Sequence, residues 1–198
     1  MGSRRRRTPP GYHELQAYLG RIRELQARSP MVSPEYLWGY LRSVVEPAMQ
    51  ERITETVKEA TLPKWEEARL RGEETARLAV PKGSEDVGRY FAERFGKYVT
   101  ELAGRKYEEV KPTVYEDIRK LVESIMTPEA SVAYGMAKEA PKWEAMHYGE
   151  ATSQVLSQIQ EFRKNYEEIL NSLNKYFRET LGIKDFDASK LFSMVWGD

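Results

Sequence analysis

Seven apolar or aromatic residues in the last quarter of the chain recur at alternating spacings of four and three: Val155, Ile159, Phe162, Tyr166, Ile169, Leu173 and Tyr176. An α-helix turns about 100° per residue, so this spacing gathers all seven into one narrow seam, and a seam of that kind needs other helices to cover it. No stretch alternates polar and apolar residues in the manner of a strand. The expected class is therefore all-α: a multi-helix bundle that ends on a long heptad-like helix.

Capping residues and prolines divide the rest. Leu15, Tyr18, Leu19, Ile22 and Leu25 predict a first amphipathic helix over 11–28. Ser33 and Pro34 predict the start of a second, kinked or restarted at Pro47 and running to about Ala60. Pro63 predicts a new segment ending near Pro81 to Gly83, and Ser84 caps the next, with Val87, Phe91, Phe95, Tyr98 and Leu102 as its stripe. Thr113 to Glu116 reads as a capping box that opens another helix. Thr127 and Pro128 predict a short Ala-rich helix interrupted at Pro141. Gly182 predicts a stop after Leu181, and Asp187 caps a terminal helix bearing Leu191, Phe192, Val195 and Trp196.

Chemistry-bearing motifs are scarce, and the expectation is that the chain is no enzyme and holds no cofactor or metal. Cysteine is absent, which excludes thiolate sites and disulfides. There is no phosphate-cradling GxxxxGK[ST] loop and no nucleophile elbow. The two histidines are His13 and His147. Glu144 and His147 form one Glu-x-x-His pair, whereas a di-iron bundle uses two such pairs and two further glutamates. Only three asparagines and six glutamines accompany 62 charged residues, a bias found in proteins from hot habitats.

The formal net charge is zero, but it is unevenly placed. Residues 1–30 carry Arg4, Arg5, Arg6, Arg7, Arg21, Arg23 and Arg28 against Glu14 and Glu24, a net +5 that leaves −5 on the other 168 residues. A basic segment joined to a mildly acidic body is the pattern of a nucleic-acid arm. The expected organisation is thus an arm over 1–33 and a helical body over 34–198, with the seven arginines on phosphates. A second basic element is expected where Gly88, Gly96 and Gly104 recur every eight residues, each followed by a base: Arg89, Lys97 and Arg105. Glycine inside a helix costs about 1 kcal/mol relative to alanine, so three of them predict close backbone approach to a neighbouring helix or a phosphate backbone.

The stretch MGSRRRRTPPGYHELQAYLGRIRELQARSP, followed by a helical body, resembles the major coat proteins of filamentous and rod-shaped archaeal viruses (the rudivirus, lipothrixvirus and tristromavirus group). The resemblance implies an all-helical virion protein from a hot habitat, assembled in the host cytoplasm. It implies a basic arm that wraps double-stranded DNA held in the A form, and a bundle that packs against copies of itself or of a paralogous coat protein. An envelope lipid is a further implied contact. The other reading is a helical adaptor or small subunit of a nucleoprotein complex of the CRISPR-effector kind.

Overall fold

The computed structural model describes residues 11–79, 83–146 and 153–198. They form six α-helices, and no strand occurs among the described residues: α1 (Tyr12–Ala27), α2 (Pro34–Ala79), α3 (Gly83–Ile125), α4 (Pro128–Glu144), α5 (Ser153–Lys175) and α6 (Ala188–Trp196). The chain is all-α. Two compact units divide it, one drawn from 11–39, 119–180 and 184–198, the other from 40–118 and 181–183.

In the first unit α4 packs between α1 and α5. The α1 contact uses one row of α4, four residues apart. Ser131 Oγ donates to the Leu25 carbonyl at 2.7 Å, adding to the long 3.4 Å bond that this carbonyl accepts from the Arg28 amide at the end of α1. Gly135 gives Leu25 its room, since a Cβ there would stand 2.6 Å from a Leu25 methyl. Glu139 binds Arg21, and Trp143 meets Tyr18 edge to face with ring centroids 5.7 Å apart. The stretch 12–27 expected within an arm thus supplies Tyr18 and Leu25 to a core shared with Val132, Met136, Ala140, Val155 and Ile159. The C-terminal apolar helix is core as well: Leu191, Phe192, Val195 and Trp196 are buried, and the Trp196 indole donates to the carbonyl of Ile125, the last residue of α3, at 3.0 Å.

The second unit is an antiparallel pair made from α2 and α3. Glu46 accepts from the Tyr115 hydroxyl, Val57 packs with Val99 and Ala103, and Trp65 lies among Phe91, Phe95 and Tyr98 at 5.6–6.1 Å. Toward the turn, Gly72 meets Phe91 and Val87 so closely that a Cβ would be 3.0 Å from the Phe91 ring.

The prolines do not divide these helices as the sequence led us to expect. Pro47 and Pro63 lie inside an unbroken 46-residue α2, Pro112 lies inside a 43-residue α3, and Pro141 lies inside α4. A helical proline removes one N–H and crowds the carbonyl four residues back, at a cost of about 3 kcal/mol. The flanking residues outweigh that cost by burial, with Leu41, Val45 and Met49 on either side of Pro47 buried. Around Pro112 the buried face runs on through Tyr107, Val114, Ile118, Val122 and Ile125, so Thr113 sits mid-helix and caps nothing. The caps predicted at Thr127 and Asp187 do form, accepting from Ala130 and Ser189 backbone amides, and Gly182 takes the left-handed φ of +75°.

The seam of α5 holds in part. Val155, Ile159 and Leu173 are buried, Phe162 and Tyr166 half-buried, and Ile169 is exposed. Beyond Lys175 the helix widens into a π-helical turn, Tyr176–Thr180, and the extra residue swings Phe177 into the buried place expected for Tyr176. Phe177 then stacks on Phe186, centroids 3.8 Å apart. Tyr166 lies against Tyr134 and Phe192, and burial, then the charges of Tyr134 and Asp187, push its hydroxyl pKa up to about 12.

Three variants test this packing. Gly135→Ala forces Leu25 to move and should cost about 1–3 kcal/mol, read as an earlier urea midpoint. Gly20→Ala, where a Cβ meets nothing within 4 Å, should gain about 0.5–1 kcal/mol. Because the folded pKa of Tyr166 lies above the unfolded value near 10, its contribution is complete below that pH and is lost as pH rises toward 12. Thermal midpoints followed from pH 9 upward should therefore fall less steeply for Tyr166→Phe than for the natural chain.

Candidate nucleic-acid interface

The ten basic residues picked out by charge patterning fall into four situations. Arg4, Arg5, Arg6 and Arg7 lie outside the described residues. Arg21 is occupied: its Nε and Nη2 donate to Glu139 Oε1 at 2.8 and 2.5 Å, and its Nη1 pairs with Glu24 Oε2 at 3.0 Å. The hydrogen bond to Glu139 raises the pKa of the Arg21 guanidinium above its ordinary value, burial opposing. On Glu139 burial pushes the carboxyl upward, but the hydrogen bonds from Arg21 and from the Trp143 indole outweigh it and hold the group below the usual range.

Arg23 and Arg28 form the third group, with no ion pair among the described residues. Arg23 is exposed and stands about 200° around α1 from Arg21, on the side away from the α4 row. Arg28 is half-buried as the residue capping the C-terminal end of α1, and its guanidinium lies beside Gly197. The three arginines of α1 therefore do not share one basic face.

Arg89, Lys97 and Arg105 form the fourth group, in the second unit, all exposed on α3. Between and beyond them, at four-residue intervals, stand Glu93, Glu101 and Glu109, also exposed. The face is of mixed sign, and a polyanion laid along it meets as many carboxylates as cations. Among the described residues nothing approaches two of the glycines closely: a Cβ on Gly96 or Gly104 meets nothing within 4 Å. Gly88 faces only the flexible Glu73 carboxylate, at 2.8 Å from such a Cβ. Gly72 and Gly135, which no local pattern marks, do have tight neighbours.

Other chemistry finds little to work with. Glu144 pairs with Arg163 at 3.8 Å, His147 lies outside the described residues, and no cluster of His, Asp or Glu suited to a metal occurs among the described residues. No described helix is long and apolar enough to cross a membrane. No family model, curated protein or solved structure matches the chain.

The Arg21–Glu139 pair has a measurable signature. Glu139→Gln should lower stability by about 1 kcal/mol at neutral pH, discounted for partial exposure. A carboxyl held below its ordinary pKa contributes stability above about pH 4.5 that is lost as pH falls through the folded value. Acid unfolding of Glu139→Gln should accordingly be shallower through that range than that of the natural chain.

Proposed function

We propose that this chain is a structural protein that coats double-stranded nucleic acid stoichiometrically and without reading its sequence, as the coat proteins of rod-shaped and filamentous archaeal viruses do. The observation that carries the reading is the concentration of charge, +5 on residues 1–30 against −5 on the rest. Arginines contact phosphates without base information, so binding of this kind is independent of sequence. Arg4, Arg5, Arg6 and Arg7 are its chief cations, and Arg23 and Arg28, with no ion pair among the described residues, extend them. Arg21 holds α1 to α4 and serves the fold. Arg89, Lys97 and Arg105 are withdrawn from the phosphate-binding set by the carboxylates between them. Many copies, each supplying a few phosphate contacts, bind cooperatively through helix–helix contacts between subunits. The partners are a DNA duplex and further copies of the chain, and the setting is a virion.

Because α1 belongs to a core, the informative truncation removes residues 1–10 and leaves Tyr12 onward in place. Six neutralised phosphates give a slope of about −5 in log affinity against log salt. The truncated chain should lose about four-sixths of that slope and most of its affinity for a 20-base-pair duplex while keeping its helical circular dichroism. Arg23→Ala should reduce the slope by about 0.9, and Arg21→Ala should leave it unchanged. Duplex binding by the truncated chain with an undiminished slope would refute the proposal.

A further inference from the structure

Residues 87–110 read VGRYFAER, FGKYVTEL, AGRKYEEV, an eight-residue unit repeated three times, and the structure shows what the repeat builds. The first and fifth positions, Val87, Phe91, Phe95, Val99, Ala103 and Tyr107, form the row toward α2, with Val99, Ala103 and Tyr107 buried. A row recurring every four residues drifts about 40° per step around the helix, and every other row drifts with it. The third and seventh positions stand about 200° away and so stay on the side turned from α2 along the whole repeat. They are Arg89, Glu93, Lys97, Glu101, Arg105 and Glu109, all exposed and alternating in sign. Only Glu109 makes an ion pair among the described residues, a loose 3.8 Å contact with Lys106. Other exposed charges of the chain do pair along their helices, as in Arg71–Glu67 and Arg163–Glu167.

The alternation is complementary to itself when reversed. Turned end for end about a two-fold axis at the level of Val99, one copy sets Arg89 opposite Glu109 of the other, Glu93 opposite Arg105, and Lys97 opposite Glu101. Lys97 and Glu101 then meet opposite charges on both sides of the axis, Glu93 and Arg105 flank them, and the drift of the row leaves Arg89 and Glu109 at the margins of the contact. Pairing the same rows in parallel register sets every charge against its like, and a uniformly charged partner meets both signs in equal number. The open space over Gly96 and Gly104, in the adjoining row, leaves room for a second helix to come close. We propose that this outward row of α3 is an isologous contact through which two copies of the chain pair antiparallel, the self-contact expected of a C2 dimer. The proposal shares its partner with the coat-protein reading but needs no nucleic acid, so each can fail alone.

Sedimentation equilibrium of the full chain without nucleic acid tests it. At low salt, about 20 mM, the natural chain should show a reversible dimer, and at about 500 mM it should shift to monomer as exposed pairs are screened. Lys97→Glu and Glu101→Lys each place like charges together twice across the axis and should weaken the dimer at least tenfold, with circular dichroism unchanged. The double variant should restore it. An equimolar mixture of the two single variants should also form a dimer, since each supplies what the other lacks. A chain that is monomeric at low salt up to about 100 μM, or single variants that dimerise like the natural chain, would overturn the proposal. So would a Lys97→Glu variant that loses duplex affinity while its dimer is unaffected.

Discussion

One row of side chains, Ser131, Gly135, Glu139 and Trp143, determines what the N-terminal part of this chain is able to do. Each member grips a different group of α1, by hydrogen bond, by absence of a side chain, by charge and by ring edge. The order in which they do so, Leu25 first and Tyr18 last, fixes α1 antiparallel on α4. With α1 so held, Arg21 is consumed as a structural ion pair, Arg23 is turned outward and Arg28 is brought beside Gly197. The division of labour among three arginines within eight residues thus follows from a contact made more than a hundred residues away in the chain.

The same logic separates what the sequence made legible from what it did not. Thr127, Gly182 and Asp187 were readable because a cap or a left-handed turn is decided by a few neighbouring atoms. The all-α class was readable because helical periodicity pervades the chain. The unbroken α2 and α3 were not, because a local rule registers the hydrogen bond lost at Pro47 or Pro112 and has no view of the burial on both sides of it. The engagement of Arg21 was illegible for a related reason: a charge count records the arginine and says nothing of Glu139. Gly72 and Gly135 left no local mark at all, while the conspicuous Gly96 and Gly104 have no close neighbour among the described residues.

The eight-residue repeat of α3 shows how one period can carry more than the residues that first draw attention to it. Glycine followed by a base every eight residues drew attention to the cations. Placed on the helix, the four-residue rows separate by role: one packs on α2, one is small from Gly88 to Gly104, and one alternates in sign. The carboxylates are as regular as the cations, so the face carries both signs in equal number.

The Trp196 indole donates to the carbonyl of Ile125, 71 residues earlier. That bond lets α3 end at a buried position without an orphaned acceptor, and it also imposes an order of events. Residues 40–118 are nearly continuous in sequence and contain both helices of the antiparallel pair, so that unit can form while later residues are still being made. The other unit is stitched from three separated stretches and cannot close until its last helix emerges. Closure of that unit thus waits on α6, whose Trp196 supplies the bond to Ile125.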